Sequence, residues 1–142
     1  MATVTRATQI TATADTVWEI LQDTAAYPEW NPFMKITGNV VVGSKITVRI
    51  TPPGSKPQTF TPTVTAVEPG RRLAWLGRLI LPGVFDGAHS LLVEPTSETT
   101  CRFTQSETFT GILVPLFRSL LKNTDAGFAA MNAALAARAE NA

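Results

Sequence analysis

Residues 112–138 read ILVPLFRSLLKNTDAGFAAMNAALAAR. Leu113, Phe117, Leu120, Leu121, Phe128, Met131 and Leu135 recur here at three- and four-residue spacings, the period of an amphipathic helix. Arg118, Lys122 and Asp125 fall on another face, at spacings that allow ion pairing along the helix. Gly127 costs about 1 kcal/mol against Ala in a helix interior, so it implies either a bend or a close approach. A helix striped this way cannot leave its apolar face in water. The rest of the chain must cover it.

Upstream, the period changes from helical to alternating. Residues 3–11 (TVTRATQIT) are rich in β-branched side chains and read as a first strand. Ala14-Asp15-Thr16 opens a short helix with Asp15 or Thr16 near its start and Val17, Trp18, Ile20 and Leu21 on its apolar side. Asp23-Thr24 caps a second short helix, limited by Pro28 and Pro32, and Asn31-Pro32 turns the chain into the sheet. Strands follow near 35–42, 45–52, 58–68, 72–80, 86–95 and 99–110, punctuated by turns such as Gly43-Ser44, Pro69-Gly70 and Pro82-Gly83. The expected fold is α+β: a curved antiparallel seven-stranded sheet, two short helices, and a long C-terminal helix enclosing a cavity against the sheet.

At 142 residues, the chain fits one domain at about 150 residues per domain. Twelve Lys and Arg against eleven Asp and Glu leave a net charge of +1, with no basic stripe for nucleic acid. Charged residues make up 16% of the chain and hydrophobic ones 44%, against a usual charged share of about 25%, which argues for a packed apolar interior. The single cysteine, Cys101, excludes an internal disulfide, and the single histidine, His89, leaves a zinc site without enough ligands. No metal or cofactor is expected. Apolar runs such as Val40–Val42 and Ile112–Val114 are far shorter than a membrane span, and no signal peptide is visible, so the expected location is cytoplasmic.

The segment Thr16-Val17-Trp18-Glu19-Ile20-Leu21, then Asp23 and Tyr27-Pro28-Glu29-Trp30-Asn31-Pro32-Phe33, resembles the opening signature of the START/polyketide-cyclase (SRPBCC) superfamily. The likeness continues through Glu68-Pro69-Gly70, Leu73-Ala74-Trp75, Asp86-Gly87-Ala88-His89 and Glu107-Thr108-Phe109-Thr110-Gly111, and so covers essentially the whole chain. It implies the helix-grip fold of the birch-pollen allergen. It also implies one of several functions, since that superfamily includes lipid carriers, hormone receptors, cyclases and dehydratases.

Strand parity sorts the side chains onto two faces. Phe60, Pro62, Val64 and Ala66 share one face, Ile46, Val48 and Ile50 another, and Leu73, Trp75, Gly77 and Leu79 a third. Phe85, Gly87, His89, Leu91 and Val93 share a parity, as do Phe103, Gln105, Glu107 and Phe109. If these faces point inward, a few polar groups stand in an apolar cavity, the pattern of a small-molecule site. The expected lining is Val48, Phe60, Val64, Trp75, Leu91 and Phe103 with His89, Gln105 and Glu107, closed by Phe33 and by Phe117, Leu120, Phe128 and Met131 of the helix. Arg6 shares parity with Val4, Thr8 and Ile10; it is either solvated or buried against Glu107. Cys101 reads as a buried, inert thiol, and Trp18 and Trp30 as packing residues.

Three functions fit this lining. The first is binding or transport of a hydrophobic lipid-, sterol- or polyketide-like molecule. The second is cyclase or dehydratase chemistry, with His89 and Glu107 as the catalytic acid–base pair. The third is a module that binds a protein partner. Pro82-Gly83-Val84-Phe85, with Leu79, Ile80 and Leu81, forms an apolar tip suited to a pocket lip or a homodimer contact.

Overall fold

The computed structural model describes residues 1–78 and 81–142. Strand β1 (Ala2–Ile10) leads through Thr13 into α1 (Ala14–Gln22). The α1 cap is Thr13, whose hydroxyl oxygen accepts the backbone N–H of Thr16 at 3.1 Å, and Asp15 and Thr16 lie in the first turn as expected. Residues Thr24–Glu29 form a 3-10 helix around Pro28. The side-chain oxygen of Asn31 then accepts the N–H groups of Phe33 and Met34, each at 3.0 Å, and turns the chain into β2 (Met34–Thr37).

Two antiparallel sheets follow. The smaller pairs β2 with β3 (Thr47–Ile50) and β3 with β4 (Gln58–Phe60). The larger has the order β1-β8-β7-β6-β5, from β5 (Thr63–Glu68), β6 (Arg72–Arg78), β7 (Asp86–Pro95) and β8 (Cys101–Thr110). The strand expected over 58–68 is therefore two strands, which makes eight among the described residues rather than seven. Pro62 marks the break, because it has no N–H to give to a ladder. The strand expected over 35–42 stops at Thr37, and Val41 and Val42 are exposed. For the strand expected over 72–80, Leu79 and Ile80 lie outside the described residues.

A bulge between Val64 and Ala66 changes the parity of β5. Val64 stands opposite Trp75 and Val67 opposite Leu73, so Val67 takes the inward place expected for Ala66. On β7 and β8 the alternation runs unbroken, with the whole of Asp86–Pro95 paired to Cys101–Thr110.

The C-terminal helix starts later than its apolar stripe. Val114–Leu116 forms a 3-10 turn around Pro115, and α2 runs Arg118–Glu140. Leu113 thus belongs to the loop before the helix. Beyond it, Phe128, Met131 and Leu135 are fully buried in the main core with Leu91, Phe103 and Cys101. Gly127 serves close packing: a Cβ there would collide with the Phe33 ring. Asp125 leaves Arg118 and Lys122 for a partner on another element, since Arg6 of β1 donates to it from Nε at 2.8 Å and from Nη2 at 2.9 Å. Of the two alternatives for Arg6, the solvated one holds: its side chain is half exposed, and its acid is Asp125 and not Glu107. Its neighbour Gln105 faces the core, but the longer Arg6 side chain reaches past the sheet edge to the helix. No helix among the described residues is long and apolar enough to cross a membrane.

Candidate functional site

Cross-strand register builds the site. Trp75 of β6 stands opposite His89 of β7, and His89 opposite Glu107 of β8. The rung on one side of this row is Gly77, Gly87 and Phe109; the rung on the other is Leu73, Leu91 and Gln105. Side chains directly opposite each other share a face, so all three rungs point to the same side of the sheet.

The row of Trp75, His89 and Glu107 forms the floor of a recess. Phe33, Met34, Val48, Ile50, Phe60 and Pro62 wall it on the side of the small sheet. Phe85, Phe109, Leu120 and Thr124 close it on the side of the helix. The cavity volume is about 60 Å³; counted with the space open to solvent at the mouth, the atom-free volume is about 590 Å³. The recess is thus small and partly open to solvent. Leu81, Ile112 and Leu116 are exposed on the neighbouring loops, which are joined where Ile112 N–H donates to the Gly83 carbonyl at 3.3 Å. Phe85, read both as part of the apolar tip and on the parity of His89, takes the inward place: it is buried against Phe109 and Phe117.

His89 is held on every side. Trp75 stacks on one face with ring centroids 4.9 Å apart, and Phe128 meets it edge-on at 5.0 Å. Its Nε2 is 2.8 Å from Gln105 Oε1, and its Nδ1 is 3.4 Å from Glu107 Oε1. The His89 side chain is 5% exposed and that of Glu107 19%, so the carboxylate is the one that reaches toward the opening. Gly87 makes room for it: a Cβ there would lie 2.5 Å from Glu107 Oε2. Behind His89, Gln105 Nε2 donates to Asn132 Oδ1 of α2 at 3.0 Å. Asn132 Nδ2 in turn donates to the Arg6 carbonyl at 3.1 Å and to Thr8 Oγ1 at 3.2 Å.

Of the expected lining, the structure brings Phe33, Val48, Phe60, Trp75, His89, Glu107 and Leu120 to the recess. It places Val64, Leu91, Phe103 and Met131 in the buried core. Gln105 lies beneath His89 rather than on the wall. Phe128 backs the His89 ring, and Phe117 packs on Phe85 beside the mouth. Ile50, Pro62, Phe85 and Phe109 also line the recess; strand parity put them on the inward faces without naming them in the lining, and Met34 and Thr124 were not singled out. Phe109 carried a usable signal, since it lies two residues beyond Glu107 on the same strand face.

Other titratable groups lie away from the recess. Burial pushes the Cys101 thiol up from its usual range. Burial also pushes up the Tyr27 hydroxyl, which donates to the Leu21 carbonyl at 2.6 Å. The hydrogen bonds from Arg6 hold the Asp125 carboxyl below its ordinary value.

The fold has counterparts among solved structures. The Zhui aromatase/cyclase from Streptomyces sp. R1128 superposes with a TM-score of 0.79 at 16% identity, covering 99% of this chain and 94% of that one. Norcoclaurine synthase from Thalictrum flavum, solved with dopamine and hydroxybenzaldehyde, gives 0.71 at 18% identity, over 96% and 85%. A START superfamily protein from Mycobacterium smegmatis gives 0.69 at 19%, over 98% and 97%. At these identities the likeness shows the helix-grip fold alone. A search of curated protein sequences returned no match. A family model described as polyketide cyclase / dehydrase and lipid transport matches residues 1–140, and the chain belongs to that family.

Proposed function

We propose that this protein binds a small, mainly apolar molecule in the recess, with one polar group of the ligand placed against His89 and Glu107. The observation that carries this reading is the contrast within the recess. Aromatic and aliphatic side chains form the walls, and a single His–Glu pair lies on the floor. Apolar walls reward burial by about 25 cal/mol per Å² before the costs of association, and a few polar groups fix orientation. The small cavity volume favours a small or slender ligand over a broad polycyclic body. Native mass spectrometry of protein purified from its own host tests the reading. The expected result is an adduct of a small apolar molecule, released by organic solvent. A bare protein that also fails to bind a panel of hydroxylated planar aromatics would overturn it.

A second reading is catalysis of the cyclase or dehydratase type, and the position of Nδ1 favours it. A ring nitrogen that faces a carboxylate at the floor of an apolar recess can take a proton next to a substrate carbonyl, and Glu107 can hold the resulting charge. On this reading His89→Ala abolishes turnover and retains ligand binding. On the first, the variant has no turnover to lose.

A further inference from the structure

The hydrogen-bond chain behind His89 has a direction, and the direction begins at a group that cannot reverse. The Arg6 carbonyl only accepts, so the Asn132 atom 3.1 Å from it is the amide nitrogen, and Asn132 Oδ1 faces the other way. That oxygen accepts from Gln105 Nε2, which turns Gln105 Oε1 toward His89. An amide oxygen only accepts, so His89 Nε2 carries a proton. Reversing any link would set two oxygens or two N–H groups against each other where Gln105 is 0% and Asn132 1% exposed.

We infer that Asn132 and Gln105 are positioning residues that hold neutral His89 as its Nε2–H tautomer, so that Nδ1 and Glu107 present an acceptor pair that selects a ligand with a hydroxyl or N–H donor. This rests on the small-molecule reading of the recess and narrows it. Nδ1 and Glu107 Oε1 are 3.4 Å apart, longer than a well-formed hydrogen bond, and with a neutral ring and an ionised carboxylate neither has a proton for the other. A hydroxyl at the mouth of this gap donates to one of them and relieves the opposition of the other. Thr124, also on the wall, has spent its own hydroxyl proton on the Leu120 carbonyl at 2.8 Å. The indole N–H of Trp75 is then the remaining side-chain donor group on the wall. A ligand whose only polar atom is a carbonyl or ether oxygen gains nothing from the pair.

Because His89 is the only histidine, nitrogen-15 histidine labelling gives a spectrum with one ring in it. Through a pH titration, the neutral ring should show Nε2 protonated and Nδ1 bare; the opposite tautomer would overturn the assignment in the wild-type protein alone. Gln105→Leu should mix the two tautomers, and Asn132→Leu, which frees the Gln105 amide to turn over, should mix them too. An unchanged tautomer in Gln105→Leu would remove the relay as its cause. The ligand arm uses 2-naphthol and 2-methoxynaphthalene as probes, titrated by calorimetry. The wild type should prefer the naphthol by about tenfold or more, and Glu107→Leu, which leaves Nδ1 as the single acceptor, should lower that ratio. Equal affinities in the wild type would overturn donor selection. Binding of neither probe would overturn donor selection, while native mass spectrometry still decides the small-molecule reading and the histidine spectrum the relay.

Discussion

The two ends of α2 use the same kind of side chain in opposite ways. Toward the C-terminus, Phe128, Met131 and Leu135 are sealed against the sheet with Cys101 and Phe103. Toward the N-terminus, Phe117, Leu120 and Leu121 are only partly buried around Phe85 and Phe109, and Leu116 and Ile112 stand in solvent. Complete burial of such a side chain contributes about 1.5–3 kcal/mol, so the open end forfeits a good part of what the same residues would contribute at the sealed end. What it gains is a mouth. Stability and access are separated along one helix, and His89 sits at the boundary, backed by Phe128 and facing the recess.

The most direct way to break this division is to probe the sealed end chemically. Cys101 is fully buried, and burial pushes its thiol up, so a thiol reagent should reach it only through opening of the core. Labelling of native protein should be at least about a thousandfold slower than of the urea-unfolded chain, in line with the small population of open states in a folded domain. Rapid labelling under native conditions would show that this end opens locally and is not sealed.

Truncation compares the ends by stability. Phe128→Ala should cost about 3–5 kcal/mol in urea denaturation, the usual range for a buried Phe. Phe117→Ala, at the open end, should cost less than half as much. Equal losses would mean that the mouth is as tightly packed as the core.

How far these ends were legible beforehand depends on what parity and period can report. Alternation in 86–95 and 99–110 put His89, Gln105 and Glu107 on one face, and the register bears that out. Parity gives a face but no depth, however. Leu91, Phe103 and Gln105 share the face of His89, yet α2 covers them, and nothing in the strand sequence says how far along the sheet a helix will reach. The bulge that exchanges Ala66 for Val67 is a backbone event without a glycine or proline to announce it. The late start of α2 did have a marker in Pro115, but the apolar spacing of Leu113 and Phe117 masked it. The helix-grip architecture itself was legible, because one long apolar stripe after a train of alternating strands leaves few ways to bury both.

Glycines sharpen the comparison on a smaller scale. At Gly127, where the helix touches Phe33, an added Cβ runs into the ring. Overpacking costs about 1–3 kcal/mol, and the helix preference of Ala returns about 1 kcal/mol, so Gly127→Ala should be destabilising on balance. At Gly77, on the recess, the same Cβ would meet only Pro62 Cβ at 3.8 Å and the Gly87 carbonyl at 3.9 Å. Gly77→Ala should change stability by no more than about 0.5–1 kcal/mol, and the sign should be favourable because Ala loses less backbone freedom in a strand. Thermal melts of the two variants distinguish a tight end from a roomy one; a stabilised Gly127→Ala would contradict the packing of Phe33.

The smallest effect belongs to the clasp between β1 and α2. Arg6 and Asp125 lie at the surface, with side chains 49% and 43% exposed, so solvent screens their attraction. The hydrogen bonds from Arg6 nevertheless lower the Asp125 pKa in the folded state. The native form therefore binds fewer protons than the unfolded chain in the acid range, and stability from this group is complete above the unfolded value of about 3.9 and is lost as pH falls through the folded one. Asp125→Asn should accordingly leave a shallower acid limb in a plot of denaturation midpoint against pH. Wild type and variant should converge at the acid end, and their difference near neutrality should shrink in about 1 M salt, where the screening length is about 3 Å. An acid limb of unchanged slope in Asp125→Asn would show that the clasp adds nothing, and that packing alone orders the middle of α2 against β1.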